Sequence, residues 1–147
     1  MKKQELAKYI DQTDLTPGRS YEYITDFCKD AADGGFASVC ILPTLIETAA
    51  AALKGTDTKV CTVISFPLGM DHPATKICAT KEAIAKGAEE IDLVMNVSAL
   101  KSGLYDVVNE ELAGSISNQY NYWIDSIFWW LGLDVHCYKY SFMVDIQ

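Results

Sequence analysis

The chain has 147 residues, of which 50% are hydrophobic and 22% are charged, and this composition is typical of one soluble globular domain. Its formal net charge of −8 argues against a nucleic-acid or membrane partner, because nucleic acids and acidic membranes bind basic surfaces. The five cysteines form no C-x-x-C pair, which argues against a zinc site or redox dithiol and favours reduced thiols in a cytoplasmic protein.

The first elements in chain order are a helix, a strand, a helix and a strand. Lys2–Tyr9 predicts a short polar helix, and residues 9–13 predict the first strand. Ser20 is a suitable N-cap for a second helix, which the Gly34-Gly35 pair ends. Phe36–Leu42 is a nearly continuous apolar run, which is typical of a strand buried on both faces.

The alternation of helices and strands continues along the chain. Thr44–Leu53 predicts a helix, Lys59–Phe66 a strand and Ala74–Lys86 a further helix. Glu90–Val97 predicts the fourth strand, and Tyr105–Leu112 predicts the helix after it. Strict alternation implies a parallel sheet with right-handed crossovers.

Two α/β architectures fit this alternation, a doubly wound open sheet and a closed (β/α)₈ barrel. No G-x-G-x-x-G or G-x-x-x-x-G-K motif follows a strand, which weakens the nucleotide-binding forms of the open sheet. In both architectures the active groups lie at the carboxyl ends of the strands.

Polar groups at those strand ends are the candidates for chemistry. Asp92 is the strongest candidate, because Ile91 and Leu93 flank it and a carboxylate inside a parallel strand is usually paired or functional. It could relay a proton, hold a lysine ammonium or simply pair with a neighbouring lysine. Asp11 could be functional or a turn residue, and Cys40 is more typical of a small core residue than of a nucleophile.

Other titratable groups predict no site. His72 is expected in a solvated loop, and since His136 is the only other histidine we predict no histidine-based metal site. Lys76, Lys81 and Lys86 are spaced along one predicted helix and are expected to lie in solvent.

Four motifs resemble those of deoxyribose-phosphate aldolases in order and spacing. They are IDQTDLTP at Ile10–Pro17, GFASVCILP at Gly35–Pro43, VISFPLG at Val63–Gly69 and EEIDLVMNVSALKSG at Glu89–Gly103. The resemblance covers about residues 5–112. It implies that this part of the chain is the first half of a (β/α)₈ TIM barrel, with about four β/α units.

The resemblance also implies a chemistry. The family is a class I aldolase that uses no metal and no cofactor and cleaves 2-deoxyribose 5-phosphate to glyceraldehyde 3-phosphate and acetaldehyde. A lysine forms a Schiff base with the aldehyde, and the cationic imine acts as an electron sink. A second lysine and an aspartate adjust the pKa of the first lysine and move protons.

The matching positions of this chain carry the implied roles. Asp92 resembles the proton-relay aspartate on the fourth strand, and Asp11 resembles the aspartate of the first strand that contacts the substrate and its water. The resemblance implies that four further residues line the substrate: Thr13, Leu15, Cys40 and Phe66. Asp14 and Ser98 depart from the family pattern, in which an apolar or small residue and a glycine are more usual.

The amino-acid composition changes after Leu112, which suggests a division into residues 1–112 and a divergent tail at 113–147. The tail holds all three tryptophans and nine of the sixteen aromatic residues. We find neither the imine-forming lysine nor the phosphate site: Lys59 begins its strand, Lys101 lies in a loop, and Lys139 lacks the family motif. We therefore expect a truncated or frameshifted product with little or no activity.

Two other functions stay open at this point. The chain could be a non-catalytic half-barrel that self-associates, with two copies closing a barrel as a homodimer, because exposed strand edges favour pairing. It could also be a small α/β binding domain. The tail could instead fold back as a helix at Tyr120–Leu131 and a strand at Val135–Ile146.

Overall fold

Four parallel strands form one sheet in the computed structural model, which describes residues 3–116. The strands are β1 (Asp11–Asp14), β2 (Ser38–Ile41), β3 (Lys59–Ile64) and β4 (Glu90–Leu93), and they lie side by side in chain order. Every neighbouring pair is parallel, as the alternation of elements predicted. Within residues 3–116, β1 and β4 are the edge strands.

The helices connect and follow these strands. They are α1 (Lys3–Ala7), α2 (Tyr21–Gly34), α3 (Ile46–Ala52), α4 (Pro73–Ala85), α5 (Val97–Lys101) and α6 (Tyr105–Ile116), with a 3₁₀ turn at Pro43–Leu45 before α3. Helix α2 begins as predicted, because the Ser20 hydroxyl accepts a hydrogen bond from the Tyr23 amide at 3.1 Å. It ends at Gly35, whose φ of 69° suits a residue without a side chain.

The fourth strand is shorter than the sequence predicted. It ends at Leu93, and Val97, the predicted last residue of the strand, begins α5. The prediction was wrong because the Asn96 side chain accepts a hydrogen bond from the Ala99 amide at 3.0 Å and caps this helix.

The sheet has two faces of different character. On the outer face, apolar side chains of β2, β3 and β4 pack with α2, α3 and α4 in the main core, which includes Val39, Ile41, Val60, Ile91, Leu93, Ile24, Ile46 and Ala83. On the opposite face, here called the inner face, Cys40, Cys61 and Val63 form a separate small cluster with Leu15. Because successive side chains of a strand alternate between faces, Asp92 shares the inner face with this cluster.

Helix α6 ends later than predicted. It runs to Ile116, and a Cβ added at Gly114 would overlap the Ile77 side chain, which shows how closely α6 and α4 pack. The predicted boundary at residue 112 therefore falls inside a helix. The predicted helix at Tyr120–Leu131, the predicted strand at Val135–Ile146, and both Lys139 and His136 lie outside the described residues.

Candidate active site

The inner face brings together several residues that the sequence singled out. Strand register aligns Thr13 with Cys40, and Cys40 with Cys61, across β1, β2 and β3. Leu15 follows β1 and packs against the cluster of Cys40, Cys61 and Val63. Thr13, Leu15 and Cys40 are thus neighbours on one surface.

Asp92 lies at the carboxyl end of this surface. It is aligned with Val63, and its neighbours Ile91 and Leu93 both point into the outer core. The residue is half-buried, and its Oδ1 atom is shielded from solvent. A carboxylate placed in this way can exchange a proton with a small molecule bound over the inner face.

Cys61 is an inner-face residue that the sequence reasoning did not single out. Its hydrogen bond with Cys40, its burial and the negative charges of Asp92 and Glu90 all raise the pKa of its thiol above the ordinary value. A thiol with a raised pKa stays protonated and is a poor nucleophile. Its position could have been found from alternation along Lys59–Ile64, since Cys61 and Val63 share one face.

Asp11 lies on the same face but nearer the amino end of the strands. It is aligned with Ser38, and Ser38 with Lys59, whereas the partner of Asp92 is Val63, four residues further along β3. Strand register thus does not place the two aspartates side by side. The Asp11 Oδ1 atom is buried and accepts no hydrogen bond from the described residues.

Phe66 lies in the loop that follows β3, at the carboxyl edge of the sheet. Its side chain is 41% exposed, and Leu68 and Met70 in the same loop are exposed as well. The loop therefore presents apolar side chains at the edge where the Asp92 strand also ends.

Asp14, which departs from the family pattern, points to the opposite side from Asp11 and Thr13. It accepts hydrogen bonds from Arg19 Nε, the Tyr23 hydroxyl and the Thr16 amide, each at 2.9 Å. Burial would raise the pKa of Asp14, but the hydrogen bonds from Thr16 and Tyr23 and the charge of Arg19 outweigh it and lower the pKa. This network fixes the segment that carries Leu15 onto the inner face.

Lys76 was predicted in solvent, and that prediction was wrong. Its side chain is fully buried, and Nζ donates to the carbonyl oxygens of Gly69 and Val94, both at 2.9 Å, and to Glu111 Oε2 at 2.8 Å. Five residues rotate an α-helix by about 140°, so Lys76, Lys81 and Lys86 cannot share one face. Lys81 and Lys86 are exposed, as predicted.

Three lysines of the described residues have settings that do not favour imine formation. Lys59 begins β3, as predicted, and pairs with Glu90 at 2.9 Å. Lys76 is held in its buried ion pair, and Lys101 is exposed at the end of α5. None of these three lysines is in position to form an imine with a ligand over Asp92.

The described part of the chain holds neither a metal cluster nor a spanning helix. Across residues 3–116, no three His, Cys, Asp or Glu side chains are grouped so that they could hold a metal ion. In the same range no helix is long and apolar enough to cross a membrane. His72 is exposed, as predicted.

Comparison with known proteins decides which family has this arrangement. A family model described as DeoC/LacD family aldolase matches residues 5–131. The chain belongs to this aldolase family. The match continues past residue 112, where the resemblance that we drew from the sequence ends.

Relatives in the DeoC/LacD family include two named deoxyribose-phosphate aldolase. The one from Clostridium kluyveri is 51% identical over 112 residues, covering 76% of this chain and 51% of the relative. The one from Streptococcus suis is 48% identical over 113 residues, covering 77% of this chain and 51% of the relative. The chain thus spans about half the length of these relatives.

Solved structures have the same fold. An aldolase called QR15 matches with a TM-score of 0.75 and 34% identity, covering 82% of this chain and 54% of that one. A tetrameric deoxyribose phosphate aldolase from Aeropyrum pernix matches with a TM-score of 0.71 and 26% identity, covering 84% and 53%. The predicted family and the TIM-barrel fold are confirmed. The four strands belong to β/α units of that barrel.

Proposed function

We propose that the inner face is the aldehyde-lining and proton-transfer part of a deoxyribose-phosphate aldolase pocket. The observation that carries this proposal is the position of Asp92, a shielded carboxylate at the carboxyl end of β4 on the face that Thr13, Leu15 and Cys40 share. The names of the relatives from Clostridium kluyveri and Streptococcus suis support this choice of substrate.

The proposed reaction breaks one carbon–carbon bond of 2-deoxyribose 5-phosphate. An imine formed with a lysine withdraws the electron pair of that bond, while a base removes the proton of the hydroxyl that becomes the aldehyde. Asp92 would hold and return such a proton, and Leu15, Cys40 and Phe66 would line the apolar part of the ligand. Asp11 and Thr13 would contact its polar groups.

We further propose that this chain has little or no aldolase activity by itself. The reason is that Lys59, Lys76 and Lys101 are not in position to form the imine, and Lys139 lacks the family motif. The imine-forming lysine would have to come from another polypeptide segment that packs on the sheet.

Reconstitution tests both parts of the proposal. The chain is mixed with a polypeptide comprising the part of the Clostridium kluyveri enzyme that it does not match, and cleavage of 2-deoxyribose 5-phosphate is measured. We expect activity in the mixture, and we expect Asp92→Asn to lower kcat by about 10²–10⁴-fold, the usual contribution of a positioned acid or base. Asp106→Asn, an exposed change on α6, is the matched control and should have no effect.

Two results would contradict the proposal. Borohydride treatment of the chain alone with 2-deoxyribose 5-phosphate, followed by intact-mass measurement, should give no stoichiometric adduct on a single lysine, and such an adduct would refute the expected inactivity. Full activity of the Asp92→Asn mixture would remove Asp92 from the reaction.

A second candidate is a self-associating half-barrel without catalysis. The observation that favours it is that β1 and β4 have no strand on their outer sides within residues 3–116. Unpaired strand edges favour pairing with another chain. Light scattering on the purified chain should then give the mass of a dimer, and a monomer at all concentrations tested would exclude this candidate.

A further inference from the structure

A buried ion pair ties together the two loops at the carboxyl edge of the sheet. Lys76 comes from α4 and Glu111 from α6, and neither side chain is exposed to solvent. The Lys76 ammonium donates three hydrogen bonds, to Gly69 O, Val94 O and Glu111 Oε2, which uses all three of its protons.

The carboxylate of Glu111 extends the network to the second loop. Its Oε1 atom accepts a hydrogen bond from the Asn96 amide at 2.6 Å, while Asn96 caps α5 with its side chain. Gly69 belongs to the loop after β3, and Val94 and Asn96 belong to the loop after β4. One ion pair thus holds both loops against two helices.

The two loops also touch each other directly. Gly69 has a φ of 66°, and a Cβ at this position would overlap the Met95 carbonyl oxygen. The segment after β3 that includes Phe66 and the segment after Asp92 therefore have one defined relative placement.

A buried ion pair is a poor way to gain stability, because the free energy of removing two charges from water can exceed the free energy gained from their attraction. What it can provide is a single geometry, because an ammonium with three acceptors tolerates little displacement. Lys76 donates to the carbonyl oxygen of Val94, which lies two residues beyond Asp92 along the chain. This contact suggests what the fixed geometry serves.

We propose that Lys76 and Glu111 are positioning residues for the pocket. They hold the loops that follow β3 and β4, and through these loops they set the placement of Phe66 relative to Asp92. The link to the pocket rests on the proposed function, whereas the link to the loops does not.

A double variant separates positioning from stability. In Lys76→Met with Glu111→Gln, no charge is left unpaired in the interior, and the introduced carboxamide keeps an oxygen for the Asn96 amide. Amide hydrogen exchange is measured on the isolated chain at Gly69, which donates to Ser65 O, and at Val94, which donates to Ile64 O. These acceptors are untouched by the substitutions, so faster exchange reports displacement of the loops.

The rates at Gly69 and Val94 are divided by those of the β2 amides of Cys40 and Ile41 in the same sample. This ratio corrects for a change in global unfolding where that opening dominates exchange, because global unfolding exposes all of these amides together. We expect the ratio to rise at least about tenfold in the double variant. Matched controls are Lys81→Met and Glu110→Gln, which are exposed positions on the same two helices. An unchanged ratio would overturn the proposal.

The reconstituted enzyme then tests the link to the pocket. The double variant should lower kcat at least about tenfold with little change in KM, because misplaced groups fail mainly in the transition state. If the exchange ratio rises but kcat stays the same, the pair holds the loops without serving catalysis, and its role in the pocket is refuted. If Asp92→Asn leaves kcat unchanged while the exchange ratio rises, the proposed function fails but the positioning of the loops stands.

Discussion

Replacing Lys76 with methionine is expected to lower the free energy of unfolding by about 3–5 kcal/mol, the usual cost of breaking a buried ion pair from one side. The Glu111 carboxylate would keep its hydrogen bond from the Asn96 amide but lose its counter-charge in a site that solvent does not reach. The carbonyl oxygens of Gly69 and Val94 would lose a donor as well. Methionine has nearly the length of lysine, so packing changes little and the loss reports the missing ammonium group.

The measurement is urea unfolding of the variant, followed by circular dichroism of the helices. Lys81→Met makes the same chemical change at an exposed position of α4 and should alter the free energy of unfolding by less than about 0.5 kcal/mol. A loss below about 1 kcal/mol for Lys76→Met would mean that the Glu111 charge is compensated in another way.

Replacing Gly69 with alanine is expected to cost about 3 kcal/mol, from an unfavourable backbone conformation and from overlap in a packed region. Its φ of 66° lies in the left-handed region, and the new Cβ would overlap the Met95 carbonyl oxygen and lie 3.0 Å from Val94 Cγ1. The main obstacle is backbone, which cannot rotate away as a flexible side chain can. The Gly69 carbonyl that accepts from Lys76 would be displaced in the same movement.

Gly55→Ala is the matched control for this change. Gly55 has a φ of 85°, but a Cβ there would have no neighbour within 4 Å. The Gly55→Ala change therefore has the cost of an unfavourable backbone conformation without the cost of overlap. We expect it to lower the free energy of unfolding by about 1 kcal/mol. Equal losses for the two variants, measured by urea unfolding, would show that the loops after β3 and β4 can separate at no cost.

Both predictions concern residues that the sequence reasoning either misjudged or passed over. The sequence predicts that Lys76 lies at the surface, because lysine is rarely buried without a partner. Its partner Glu111 is 35 residues away along the chain. No local pattern connects two charged residues at that separation. The same holds for the contact of Gly69 with Met95, which exists only once β3 and β4 lie side by side.

Residues whose placement depends on local rules were predicted well. Ser20 and Gly35 were expected at the ends of a helix and bound α2, because capping is decided by a few neighbouring backbone groups. The strand at Glu90–Val97 was predicted too long, since the Asn96 cap was not considered and its helix has only five residues.

The sequence by itself determined the family, the order of the four β/α units and the face on which Asp92, Cys40 and Thr13 lie, because motif spacing and strand alternation are properties of the chain. Only the tertiary structure decided how the carboxyl edge is held. Packing α4 against α6 removes Lys76 and Glu111 from water, and a charge without water must find its partners among whatever groups the fold brings near. Here those groups are Gly69, Val94 and Asn96, in the loops at the carboxyl edge of the sheet.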